Sequence, residues 1–293
     1  MIEFRDVSAS YDGELAVLDR VSFTIPDGDF VAFVGTNGAG KSTTMRLING
    51  LLKPTAGDVL IDGVSTANLK TSELAAKVGF LFQNPDRQIC CNTVREELMF
   101  GFKAQGRECA DAERRVDAMI ERFGFDPDAE PFLLNRGTRQ LLALASIIVL
   151  GTPVIVLDEP TTGLDFRECS KVMEIIAGLN VRGTTVIMVC HDMEVTADYA
   201  KRVIAMTEGR VVDDGPTFEV LRNPDTLQRA HLLPSQIVDI SMRLSDAAPA
   251  IASSSIARAN SLDQMSTAVY EFISSHAGTG ASPALGSDEG LGA

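Results

Sequence analysis

The segment Gly35-Thr36-Asn37-Gly38-Ala39-Gly40-Lys41-Ser42 satisfies G-x-x-x-x-G-K-[ST]. This motif constrains the chain more than any other feature, because it works only between a strand and a helix. Both flanks fit. DFVAFVG before it is an apolar β-type run, and Met45, Leu47, Ile48, Leu51 and Leu52 after it share one face of a helix that ends at Lys53-Pro54. Glycines let the backbone wrap closely, so that amide N–H groups and the helix N-terminus face the β and γ phosphates of a nucleotide. Lys41 adds a mobile positive charge and Ser42 a hydroxyl ligand for Mg²⁺. The candidate nucleotide-binding set is therefore Asn37, Gly38, Ala39, Gly40, Lys41, Ser42 and Thr43.

Val154-Ile155-Val156-Leu157-Asp158-Glu159 supplies the acidic complement. Four apolar residues of a buried strand deliver two carboxylates at its C-terminal end, where open α/β sheets bind ligands. Asp158 is the candidate metal residue, reaching Mg²⁺ through water. Glu159 is then placed to polarise an attacking water, the phosphate charge being neutralised by the metal and Lys41.

The remaining pattern alternates strands with helices. IEFRDVSASY and VLDRVSFTI precede the phosphate motif as short β-rich runs. Residues from Ala104 to about Phe123 have a charged helical pattern, and a second helix runs from Gln140 to Leu150. After VIVLDEP come a helix from Arg167 to Asn180, the strand TTVIMVCH, a helix from Met193 to Ala200 and the strands RVIAM and GRVVDDG. Such alternation predicts an α/β fold with a largely parallel sheet. Beyond Pro216 the chain reads as short amphipathic helices. A further helix carries Ile256, Ala259, Leu262, Met265, Val269 and Phe272, and the aperiodic 277–293 segment reads as a disordered tail.

Composition narrows the class. The 293 residues carry 26 Lys and Arg against 40 Asp and Glu, a net charge of −14, which opposes nucleic-acid phosphates, so no nucleic-acid partner is expected. The five Cys show no C-x-x-C spacing and are read as reduced, in the cytoplasm. The N-terminus has no secretory pattern, and the apolar stretch Leu141 to Leu157 is broken by Gly151-Thr152-Pro153, so no membrane span is expected.

These motifs together resemble the ATP-binding cassette of ABC transporters over roughly residues 1 to 225. The resemblance implies a P-loop NTPase cassette: a RecA-like parallel sheet core, an N-terminal antiparallel β subdomain, and a helical signature subdomain at about 84–150. It implies that Tyr11 stacks on the adenine, that Gln83 in FLFQNPDRQ is the glutamine that senses Mg²⁺ and water beside the membrane subunit, and that His191 contacts the γ-phosphate. Glu159, His191 and Gln83 are thus the catalytic candidates, and Ser42, Gln83 and Asp158 the metal set, with ATP and Mg²⁺ as cofactors. Asp165, in Thr162-Gly163-Leu164-Asp165, stands where two cassettes join. The family signature LSGGQ is degenerate here: Leu134-Asn135-Arg136-Gly137-Thr138 has Asn135 for Ser and Thr138 for Gln, and these residues with Arg136 and Gly137 would act in trans on a partner's ATP.

FQNPDRQ, TVREELMFG and DEPTTGLD are similar to the ATPases of energy-coupling factor (ECF) importers, which take up vitamins, cobalt and nickel. That branch implies a helical C-terminal dimerisation extension at 226–276 and a peripheral position on the cytoplasmic face of the membrane. It also implies three partners: a second ECF-type ATPase, a membrane scaffold docking near Gln83 and a separate membrane substrate-binding component. A weakly hydrolysing regulatory half, or a non-transport ABC ATPase, stays open as an alternative.

Overall fold

The computed structural model describes residues 1–11, 13 and 15–276. Two strands open the chain, β1 (Ile2–Ala9) and β2 (Leu18–Ile25), whose alternation of buried and exposed residues is interrupted where the register shifts, between Phe4 and Val7 and between Leu18 and Val21. The next strand, β3 (Phe30–Gly35), is buried along its whole length. Helix α1 (Lys41–Ile48) follows the phosphate motif. It stops earlier than its apolar pattern predicts, because Asn49 caps it and accepts Leu51 N–H with its side chain at 3.0 Å. Leu51 is consequently 52% exposed rather than part of the helix face.

Beyond α1 lie β4 (Ala56–Ile61), β5 (Val64–Ser65), α2 (Thr71–Leu74) and β6 (Val78–Leu81). The helical region then divides into α3 (Val94–Ala104), α4 (Ala110–Phe123) and α5 (Arg136–Ile148). The single helix expected from Ala104 to Phe123 is thus corrected. Ala104 closes α3, and a turn in which Gly106 N–H bonds Lys103 O and Arg107 N–H bonds Phe102 O precedes α4. The remaining elements of this unit are β7 (Val154–Asp158), α6 (Phe166–Val181), β8 (Thr185–Val189), α7 (Met193–Tyr199), β9 (Arg202–Thr207), β10 (Arg210–Pro216), α8 (Thr217–Leu221) and α9 (Pro224–Arg229).

Among the described residues, ten strands form two sheets. The antiparallel sheet has the order β2-β1-β4-β5. The other has the order β10-β9-β3-β8-β7-β6 and is parallel except for the edge pair β9–β10. Because side chains alternate along a strand, β3 feeds two cores. Phe30, Ala32 and Val34 join the apolar faces of α3, α4, α5 and α6, whereas Val31 and Phe33 join α1 and the antiparallel sheet.

The chain divides into two compact units, the first running to Leu233 and the second starting at Pro234. The boundary expected at 225/226 therefore shifts. Asp213 of β10 accepts hydrogen bonds from Asn223 Nδ2 at 3.2 Å and from the Thr226 hydroxyl, and Ala230 packs in the first core, which ties α9 to the sheet. The second unit contains α10 (Gln236–Ala247), α11 (Pro249–Ala252) and α12 (Leu262–His276). Its small core gathers Ile256, Ala259, Met265 and Ala268. Ile256 lies in a 3-10 turn rather than in the helix its spacing predicts, since Ser254 caps that turn and α12 begins only at Leu262. The 277–293 tail lies outside the described residues.

Candidate functional site

Parallel register brings the motifs to one edge of the sheet. Phe33 pairs with Val189, Val189 with Asp158, and Leu157 with Leu81. The chain therefore leaves β3, β8, β7 and β6 side by side, carrying respectively the phosphate loop, His191, Asp158-Glu159 and Gln83.

The loop after β3 curls over the N-terminus of α1. Gly40 sits at φ +96 as the helix N-cap, and a Cβ there would strike the Leu18 side chain and approach Val17 O at 3.2 Å. Lys41 lies almost wholly inside, its Nζ donating to Gly35 O at 2.7 Å and Thr36 O at 2.8 Å. Burial lowers its pKa from the ordinary lysine value, while the charges of Glu159 and Asp158 oppose that shift. A cavity of about 140 Å³ opens here, lined by Val17, Asn37 to Thr43, Glu159 and His191.

Ser42 Oγ donates to Asp158 Oδ1 at 3.2 Å. Burial raises the Asp158 pKa, the Ser42 bond opposes this, and the Glu159 charge adds to it. The donors of this pair are oxygens, the ligands a Mg²⁺ ion takes.

Glu159 is the junction of the site. Its φ of +55 is left-handed, a conformation that costs a non-glycine residue about 1–2 kcal/mol. The strain aims the carboxylate away from the strand. Oε2 accepts from Gln83 Nε2 at 2.8 Å and Thr162 Oγ1 at 2.9 Å, and Oε1 lies 3.0 Å from His191 Nε2. One carboxylate thus ties its own loop, through Thr162, to two loops far away in sequence, those of Gln83 and His191.

Tyr11 stands outside the cavity lining. Its ring is exposed, its hydroxyl is 3.2 Å from Thr43 Oγ1 and accepts from Arg46 Nη1 at 2.9 Å, and the Arg46 guanidinium lies over the ring at 5.7 Å.

The degenerate signature builds a separate surface. Asn135 is the N-cap of α5, accepting Thr138 N–H at 2.8 Å. Asp165 caps α6 in a reciprocal capping box with Glu168. The two caps touch: a Cβ on Gly137 would run into the Glu168 carboxylate. Arg136 Nη2 donates to Thr162 O at 3.2 Å, linking this surface to the loop that leaves Glu159. Arg139 donates to Leu134 O at 2.6 Å and makes an ion pair with Asp86 at 3.0 Å, though its Nε–H is not aligned for a hydrogen bond.

Sequence reasoning missed Val17, Thr162 as a partner of Glu159, and Arg46. The i,i+3 spacing from Glu159 to Thr162 across a Pro-Thr turn was the one local signal for Thr162. Val17 had none, because only the fold brings it over the phosphate loop.

Beside this machinery lies an apolar groove of about 380 Å³, whose walls include Leu51, Phe80, Phe82, Phe100 and Leu150. Among the described residues, no helix is long and apolar enough to cross a membrane.

The profile of the family described as ABC transporter matches residues 18–162. The energy-coupling factor transporter ATP-binding protein EcfA of Methanothermobacter thermautotrophicus is 36% identical over 83% of this chain and 80% of its own length. Among solved structures, cbiO1 from Clostridium perfringens, part of the ABC transporter complex cbiONQ, superposes with a TM-score of 0.68 at 29% identity, covering 78% of this chain and 92% of that one. The dimeric ATP-binding cassette MJ0796 bound to ADP and phosphate superposes with a TM-score of 0.67 at 30% identity, over 74% of this chain and 99% of that one. A putative ABC transporter ATP-binding protein of Caldanaerobacter subterraneus subsp. tengcongensis is 39% identical over 83% of this chain, but the chain spans only 43% of its length. The same holds for two Methanosarcina relatives, of which it spans 36% and 37%.

Proposed function

The chain belongs to the ATP-binding proteins of ABC transporters and shares its family with those of energy-coupling factor transporters, and from that premise we propose that it hydrolyses ATP to drive an ECF-type importer of a vitamin or of cobalt or nickel. The observation that carries this reading is the Glu159 junction: a carboxylate beside the phosphate loop that holds Gln83, Thr162 and His191 at 2.8 to 3.0 Å.

The site residues fit the nucleotide and its metal. The N–H groups at the start of α1 and Lys41 would hold the phosphates, and Ser42, Asp158 and Gln83 would hold Mg²⁺, which supplies charge neutralisation when bound. Glu159 orients and activates the attacking water, and His191 positions Glu159 and the phosphate side of the cavity. Tyr11 takes the adenine side. Closure of two cassettes brings Asn135, Arg136, Gly137, Thr138 and Asp165 to a partner's nucleotide.

The groove at Phe80, Phe82 and Phe100 supports docking of a membrane scaffold near Gln83, since Phe82 on its wall adjoins Gln83, whose side chain bonds the Glu159 carboxylate. The second unit serves in dimerisation, and the chain sits peripherally on the cytoplasmic face. The signature favours a second, non-identical ATPase as partner: Arg136 and Asn135 are engaged within this chain, bonded to Thr162 O and Thr138 N–H.

The test is co-purification from detergent-solubilised native membranes with phosphate release measured for wild type and Glu159→Gln. A membrane scaffold, a second cassette and turnover abolished by the substitution support the reading. Recovery without membrane protein, or turnover indifferent to Glu159, overturns it.

A further inference from the structure

The segment between Gln83 and α3 holds a cluster that the nucleotide chemistry does not use. Cys90 and Cys91 are adjacent in sequence, and their Sγ atoms and a carboxylate oxygen of Glu97 all lie within 4.8 Å of one another. Such proximity is built rather than accidental. Glu97 lies in the first turns of α3, is 3% exposed, and accepts the backbone N–H groups of both Cys90 and Cys91 at 2.9 Å. One buried carboxylate therefore fixes the backbone of both cysteines and turns their side chains toward itself.

We propose that Cys90, Cys91 and Glu97 form a binding site for a soft, thiophilic cation of the Zn²⁺ or Cd²⁺ class.

Donor chemistry and access both support this. Two sulfurs and one oxygen select a thiophilic ion over Mg²⁺ or Ca²⁺, which take oxygen ligands. Three protein donors leave a fourth tetrahedral position to water. Cys90 is exposed, so the ion enters from solvent, while Glu97 closes the inner side. Burial and the Glu97 charge push the Cys91 thiol up to about 12, and Cys90 is shifted in the same direction. A bound ion must displace the thiol protons against this shift. A divalent ion that binds forms two metal–sulfur bonds and releases two protons to solvent, leaving the site one negative charge in place of Glu97 alone. The metal also pins 89–93 to α3. The proposal does not depend on the transport reading.

The full chain, reduced and freed of metal with a chelator, is titrated with Cd²⁺ while thiolate-to-cadmium charge-transfer absorption is followed, and Zn²⁺ is then added as competitor. One Cd²⁺ per chain is expected, displaced by Zn²⁺. Cys109→Ser retains the signal, Cys90→Ser with Cys91→Ser loses it, and Glu97→Gln, which removes the anionic oxygen donor, weakens binding by at least roughly 10-fold. Alkylation mapped on the wild-type chain gives a reading free of folding effects, with Cd²⁺ protecting Cys90 and Cys91 and leaving Cys109 reactive. The same absorption in the double variant, none in wild type, or absence of protection at Cys90 and Cys91 overturns the site.

Discussion

The Glu159 junction and the Asn135 loop are both strand-to-helix or loop-to-helix turns rich in polar side chains, yet they are held in opposite ways. Glu159 is strained, and besides Thr162 of its own loop its partners, Gln83 and His191, come from two loops distant in sequence. Asn135 has relaxed extended backbone, and its capping bond is made three residues away, at Thr138 N–H. The first region is completed by this chain's own fold. The second is a helix start capped by its own side chain, a bond that asks nothing of distant loops. Strain is tolerated where several contacts over-determine the geometry, whereas a helix start whose orphan N–H is capped locally needs no such support.

The contrast can be broken or sharpened by substitution. Glu159→Gln keeps a side chain of the same shape but loses the base, so phosphate release should fall by about 10²- to 10⁴-fold while ATP binding persists. Retained turnover would remove the junction from the chemistry. Gly40→Ala forces a left-handed non-glycine residue against Leu18, an expected loss of about 1–3 kcal/mol with weakened ATP binding, read by thermal unfolding and nucleotide titration. In the signature, Asn135→Ala should cost about 1 kcal/mol through the lost cap, whereas Asn135→Ser preserves the cap and changes stability by only a few tenths. A larger loss for serine would mean that Asn135 does more than cap.

The effect that vanishes at neutral pH concerns β8, which leads into His191. Burial lifts the Cys190 thiol to about 11. The unfolded chain therefore releases this proton first as pH rises. The linked stability is complete below the ordinary thiol range and drains away as pH climbs toward 11. Cys190→Ala should flatten the alkaline limb of stability against pH, measured by denaturant unfolding, and leave neutral turnover unaltered.

What could be read beforehand follows the range of the interactions. The phosphate loop, β3 and β7 were legible because each is a short apolar run beside a motif whose chemistry demands that order. Strands β4 and β6 were not named, since Ala56–Ile61 and Val78–Leu81 become strands by pairing with β1 and β7, far away in sequence. The division between α3 and α4 hid under continuous helical periodicity. At the site, Lys41, Asp158, Glu159, His191 and Gln83 were named from motifs, but the meeting of Gln83 and His191 on the Glu159 carboxylate was not, because it depends on the register of β6, β7 and β8. The Arg139–Asp86 pair was equally invisible, joining the first turn of α5 to a turn that no pattern connects with it.

That register has a kinetic consequence. Gly35, Leu81, Asp158 and Val189 are separated by tens of residues, so no local segment can assemble the junction ahead of the sheet. Each pairing must first meet the entropy of closing a long loop, which makes the nucleotide site a late product of folding. A nucleotide that binds the finished site then stabilises the whole parallel sheet. Hydrogen exchange deep in β7 and β8 should accordingly slow together when ATP is added, and the same ligand should leave the opening of the Pro234 unit unchanged.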